Sequence, residues 1–209
     1  GTFDVQVRDS GGEDDGGVDL SPARTVTVTV TGVNDPPTFT AVDPPAALED
    51  SGEQTVSGWA TFSAGDGNEI DGVLTYNMGV VGDPTLFATP PAVSVDGDLT
   101  YTPAPNAVGQ STFEVSVQDD GGTAPPGDDT SPTQTFTITV NGVNDAPTFT
   151  AMPQVTVLED SGSQSMPGWV TSFTPGPADE VMAGQAVVQY TVSNVSVPGL
   201  FEVEPQASA

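Results

Sequence analysis

Residues 30–41 (VTGVNDPPTFTA) and 140–151 (VNGVNDAPTFTA) differ only at Thr31/Asn141 and Pro36/Ala146, and they stand 110 residues apart. A period of that size is one domain rather than one turn of a solenoid, so the chain reads as a stretch of a tandem array. At the same offset Phe3-Asp4-Val5 lies on Phe113-Glu114-Val115, Asp9 on Asp119, Ser21-Pro22 on Ser131-Pro132, and Leu48-Glu49-Asp50-Ser51-Gly52 on Leu158-Glu159-Asp160-Ser161-Gly162. Trp59 lies on Trp169. Beyond the tryptophans the offset grows to 111 (Glu69 on Glu180) and then to 114 (Tyr76 on Tyr190, Leu86-Phe87 on Leu200-Phe201), and insertions there argue for loops between strands. The chain is thus expected to hold the C-terminal part of one domain (1–33), a complete domain (34–143) and the N-terminal part of a third (144–209), as a piece of a longer protein.

Apolar residues recur with period two in runs bounded by Gly, Pro, Asn and Asp: Phe3/Val5/Val7, Val26/Val28/Val30, Phe113/Val115/Val117 and Phe136/Ile138/Val140. Thr, Ser and Gln fill the opposite face, the pattern of antiparallel strands with one side wet. Asp96-Gly97 between Val93/Val95 and Leu99/Tyr101 reads as a tight hairpin turn. No ten-residue segment carries a helical apolar stripe, and 24 Gly with 20 Pro would break one. The fold class expected is all-β, as tandem Greek-key β-sandwiches of about seven short strands each. Trp59, Phe62, Tyr76, Leu86, Phe87, Tyr101, Phe113 and Phe136 are the expected large core residues of the complete domain. Its first strand is expected to run the length of the domain, carrying Glu49 from one pole to the other.

Composition excludes several functions. Twenty-nine acidic residues against Arg8 and Arg24, with no Lys and no His, give a net charge of −27, which repels nucleic acid and anionic membrane. No apolar run is long enough to span a bilayer, so no membrane insertion is expected of this stretch. Without His, Cys or Lys there is no Ser-His or Cys-His pair, no imidazole-held zinc and no Schiff-base former, so the chain is not expected to be an enzyme. The chemistry left is the binding of a hard cation by oxygen. Acids gather at the joints (Asn34-Asp35, Asn144-Asp145), at the end of the first strand (Glu49-Asp50, Glu159-Asp160) and in two loops (Asp66-Gly67-Asn68-Glu69 with counterpart Asp179-Glu180, and Asp119-Asp120 with counterpart Asp9). The acids Glu13-Asp14-Asp15 and Asp128-Asp129 read instead as solvated surface. Spacing from Asp66 fails for an EF-hand at Ile70 and Asn77.

VNDPPTF and VNDAPTF resemble the linker of cadherin repeats, Leu48-Glu49-Asp50 resembles their first-strand glutamate, and AGDGNEIDGVLTY and VQDDGG resemble their acidic loops. LTYTPAPNAVGQSTFEVSVQDDGGT is similar to the cadherin-like tandem domains of large bacterial surface proteins and adhesins. The resemblance implies Ca²⁺ between domains. Before the complete domain it would be held by Asn34, Asp35, Asp66, Glu69 and Asp119 or Asp120; after it, by Glu49, Asn144, Asp145, Asp179 and Glu180. Glu159 would serve a further joint. Where the animal linker has additional acidic and Asn positions this chain has Pro or Thr, which implies fewer ions or weaker sites.

The function expected is that of an extracellular spacer on a bacterial cell surface, its partners the adjacent repeats of the same chain. Two alternatives stand beside it: a module that binds glycan or like chains through pole loops or Thr-rich faces, favoured if either tryptophan is exposed, and a protomer of an extracellular filament.

Overall fold

The structure, a computed structural model, describes residues 1–65, 67 and 69–208. It is all-β apart from single turns of helix. The strands are β1 (Thr2–Val5), β2 (Arg24–Thr27), β3 (Thr38–Thr40), β4 (Ala47–Leu48), β5 (Gln54–Val56), β6 (Thr61–Ser63), β7 (Val73–Val81), β8 (Phe87–Val93), β9 (Leu99–Pro103), β10 (Gly109–Asp119), β11 (Gln134–Asn141), β12 (Thr148–Ala151) and β13 (Val170–Thr174). One five-residue α-helix, α1 (Ala178–Met182), sits in the acidic loop after β13, too short to show a stripe in the sequence.

Residues 38–141 build one core from three sheets, ordered β4-β11-β10-β7, β5-β9-β8 and β3-β6. Strand parity decides what enters it. Along β10, Ser111, Phe113, Val115, Val117 and Asp119 are all buried while the residues between them are not, the period of two that a sheet with one wet face requires. Trp59 packs against Phe136 with ring centroids 4.7 Å apart and nearly perpendicular planes, and its indole N–H donates to the Val42 carbonyl at 2.7 Å. Seven of the eight expected core residues are buried and Phe62 packs half-buried against them; Phe39, Leu99 and Ile138 join them. The β8–β9 turn closes at Gly97, whose φ is +84° and whose absent Cβ leaves room for the Ala60 carbonyl.

The first strand differs from expectation. It is two short strands in different sheets, β3 on β6 and β4 parallel to β11, separated by a stretch containing Pro44-Pro45. Proline donates no N–H to a ladder, so the pair ends one pairing and frees the chain to change sheets. The outcome at Glu49 is nonetheless the expected one, because β4 lies on β11 where that strand leaves for the next repeat: Val140 is opposite Ala47, and Asn141 opposite Leu48.

The flanking segments form two further small sheets, β1-β2 and β12-β13, in the registers Phe3↔Val26 and Phe149↔Phe173. These are the counterparts of Phe113↔Phe136 and Phe39↔Phe62.

Candidate functional site: two oxygen-lined joints

β10 ends the core at Asp119, which is 1% exposed, and the neighbouring loops close around it. Asp119 Oδ1 accepts from the Gly121 N–H at 3.0 Å and from Asn34 Nδ2 at 3.2 Å; Nδ2 also donates to the Asp128 carbonyl at 2.7 Å. Glu69 Oε1 accepts from the Asp35 N–H at 2.6 Å. A Cβ on Gly121 would collide with Asn34 Oδ1 and stand 2.9 Å from Asp71 Oδ2, so the glycine is what lets these two oxygens approach the loop. A cavity of about 250 Å³ opens between Asn34, Glu69, Asp71 and Gly121.

At the other end of the core, Glu49, also 1% exposed, accepts the Val143 N–H on Oε1 at 2.7 Å. Glu180, 3% exposed on α1, accepts the Asp145 N–H on Oε1. This repeats the Asp35–Glu69 bond 110 to 111 residues on. Gly176 matches Gly65 in the same way: a Cβ on either would meet the free Oε2 of the glutamate and lie 3.4 Å from the aspartate Cβ. A cavity of about 290 Å³ is lined by Asn144, Asp179 and Glu180, with Gly142 and Val143.

The two joints share a single electrostatic device. In Glu49, Glu69, Asp119 and Glu180 one carboxylate oxygen is held by a backbone N–H and the other is buried with no donor. Asn34 Oδ1, Asp145 Oδ2 and Asp179 Oδ1 are likewise buried and undonated. Among the described residues eight buried side-chain polar atoms lack a hydrogen bond, and all but Asp19 Oδ1 lie at the joints. A buried unpaired carboxylate oxygen is costly, so their confinement to two places is not an accident of packing. The cost is visible at Glu49, where burial pushes the carboxyl above its ordinary 4.5 and the neighbouring charges of Asp179, Asp50 and Asp145 add to it, against the lowering by the Val143 N–H. No basic side chain pairs with either joint: the one ion pair among the described residues is Arg8–Asp19, at 3.3 Å.

The expected ligands divide. Asn34, Glu69, Asp119, Glu49, Asp145, Asp179 and Glu180 turn oxygens into the joints. Asp120 does not: its Oδ1 accepts the Gly72 N–H at 2.7 Å, tying the β10 end to the loop before β7. Asp35 is exposed and contributes through its backbone, and Asn144 is exposed with its amide donating to the Asp145 carbonyl at 3.0 Å. Glu159 is exposed on a turn. Asp66 lies outside the described residues. Asp71 and the Asp128 carbonyl were not expected at the first joint. The Asp128-Asp129 loop, read as solvated, reaches the joint through its backbone. No three acidic side chains among the described residues are drawn together tightly enough to hold a metal ion as they stand.

Comparison with models of protein families, with curated proteins and with solved structures found no match.

Proposed function

We propose that the chain is a stretch of an extracellular stalk on a bacterial surface, built of tandem Greek-key β-sandwiches of the cadherin-like kind, whose joints take Ca²⁺. The observation that carries this reading is the set of seven buried, undonated oxygens at the two joints. The donors are carboxylate and amide oxygens, and the chain has neither His nor Cys, which suits a hard cation of flexible coordination number. Asn34, Glu69, Asp71 and Asp119 would hold an ion before the middle unit; Glu49, Asp145, Asp179 and Glu180 would hold one after it. A bound cation supplies the positive charge that the loops lack.

The protein's own residues do the rest. The backbone N–H groups of Asp35, Val143 and Asp145 fix one oxygen of each glutamate, so the free oxygen is aimed before any ion arrives. Because Glu49 and Val143 belong to the middle unit and its exit, while Asp145 and Glu180 belong to the next, drawing these oxygens to one centre locks the angle between units. Without a cation their mutual repulsion loosens it. Trp59, buried with its N–H engaged, offers no glycan platform, and Trp169 is half-buried.

Titration of the chain with Ca²⁺, followed by calorimetry and by small-angle scattering in constant ionic strength, tests the proposal. Binding at both joints, a longer and sharper maximum dimension, and about 2.7 kcal/mol of added stability at a hundredfold excess over Kd are expected. Asp119→Asn should remove the first site alone and Glu49→Gln should weaken the second alone. Absence of any heat, or binding indifferent to both substitutions, would sink it.

A further inference from the structure

The two copies of the joint segment differ at Thr31/Asn141, and each of these residues precedes a glycine. The difference is one of reactivity. Of the seven asparagines in the chain only Asn141 is followed by Gly, so only there does the next main-chain nitrogen belong to a residue without a Cβ. Asn141 is the last residue of β11 and its side chain is exposed. No hydrogen bond among the described residues occupies the Gly142 N–H. At the first joint Thr31 has no amide to lose.

Glu49 grips the chain on both sides of this pair. Its N–H donates to the Asn141 carbonyl at 2.9 Å, and its Oε1 accepts the Val143 N–H at 2.7 Å. Gly142 lies between the two grips and against the same side chain: a Cβ there would stand 3.5 Å from Glu49 Oε1 and 3.4 Å from Val108 Cγ1. Gly32 has nothing within 4 Å of the equivalent point.

We propose that Asn141-Gly142 is a self-modification site whose product unhooks Glu49 from the exit of the middle unit. The Gly142 nitrogen, its proton passed to hydroxide, attacks the Asn141 Cγ. The N–Cγ bond forms, the Cγ–Nδ2 bond breaks, and ammonia leaves with a proton from solvent, closing a five-membered imide. Water then opens the ring. Attack at Cγ breaks the new N–Cγ bond and leaves an aspartyl residue in an unaltered main chain. Attack at the Asn141 main-chain carbonyl carbon breaks its bond to the Gly142 nitrogen, and the chain then runs through Cβ and Cγ, an isoaspartyl linkage one methylene longer. By either route one amide and one water give one carboxylate and one ammonium, with no oxidant, metal or partner taking part.

The isoaspartyl product breaks the grip. The carbonyl that accepted the Glu49 N–H becomes part of a side-chain carboxylate, and the added methylene changes the spacing to Val143, so Glu49 cannot hold both partners. The intact grip in turn slows the reaction. Ring closure needs rotation about the Asn141 Cα–C bond, because an extended residue holds its Cβ out of the plane of the following peptide. Glu49 therefore sets the rate at which its own anchor is lost.

The test incubates the whole chain in EDTA at mildly alkaline pH and maps it by mass spectrometry, so its outcome does not depend on whether the joints take a cation. The mass gain of amide hydrolysis should accumulate at Asn141 ahead of the other asparagines, faster in urea than in the folded chain, and electron-transfer fragmentation should find isoaspartate there. Glu49→Ala, with Trp59 fluorescence reporting a folded core, should convert about tenfold faster, the factor expected for removing one hydrogen bond to a charged group. In the isoaspartyl form, amide exchange should show the Glu49 and Val143 N–H groups about tenfold less protected. Asn141→Asp, which has the acidic side chain without the longer main chain, should keep that protection. An Asn141 that stays intact, conversion spread evenly over the asparagines, a rate indifferent to Glu49→Ala, or full protection in the isoaspartyl form would each overturn the proposal.

Discussion

The same β-hairpin occurs twice in this chain, once buried and once bare. β1–β2 and β10–β11 agree in sequence pattern, register and turn hydrogen bonds, and they differ in what lies across from them. Their likeness teaches that strands and turns are written locally, in Thr-Val alternation and in the Asp, Ser and Gly of the loop. Their difference teaches that burial is not. Phe113 is removed from water by Trp59 and Phe136, residues 54 and 23 positions away in the chain, and no property of β10 itself supplies them.

The largest effect should come from truncating the two phenylalanines. Phe113→Ala is expected to cost about 3 to 5 kcal/mol, because a fully buried ring leaves a cavity, while Phe3→Ala should stay within about 0.5 kcal/mol. Urea unfolding followed by tryptophan fluorescence, which Trp59 reports from the core, measures both. Equal losses would mean that the hairpins are equivalently packed and the comparison is void.

A smaller contrast separates two glycines with the same backbone sign. Gly97→Ala meets both a φ of +84° and the Ala60 carbonyl, and should cost upwards of about 2 kcal/mol. Gly12→Ala, at φ +74° with open space around it, should cost about 1 kcal/mol and leave the middle unit's midpoint unmoved. Parallel melts of the two variants decide the matter.

The subtlest contrast is between Glu49 and Glu159. A carboxyl whose folded value is raised favours the folded state below its ordinary value and loses that advantage as pH rises through the folded one. In EDTA the middle unit should therefore gain thermal stability as pH falls through the raised value towards the ordinary 4.5, and Glu49→Gln, which keeps an acceptor for the Val143 N–H, should raise the midpoint at pH 7 and flatten that trend. Glu159→Gln should do neither. In Ca²⁺ the sign should invert, Glu49→Gln becoming the less stable protein.

Much of this was legible beforehand. The repeat offset fixed which residues correspond, and alternation identified the sheet faces. It could also have chosen between Asp119 and Asp120, since Asp119 shares the parity of Phe113, Val115 and Val117. Other features left no trace. The Asp128 carbonyl carries no side-chain signature, Asp71 sits in a loop without a period, and α1 is shorter than any periodicity test. The sheet change at Pro44-Pro45 was written in the two prolines but hidden by the apolar pattern on either side.

The parallel pairing of β4 with β11 carries a mechanical consequence. A pull along the chain enters the middle unit near Asn34 and leaves through Val143, so it draws these two neighbouring strands in opposite directions along their common axis. Their hydrogen bonds, the Glu49 N–H to the Asn141 carbonyl among them, are then loaded in shear and must give way together rather than peel one after another. Glu49 holds Val143 at the end of this patch, so the residue that aims an oxygen into the joint also anchors the point where tension leaves the domain.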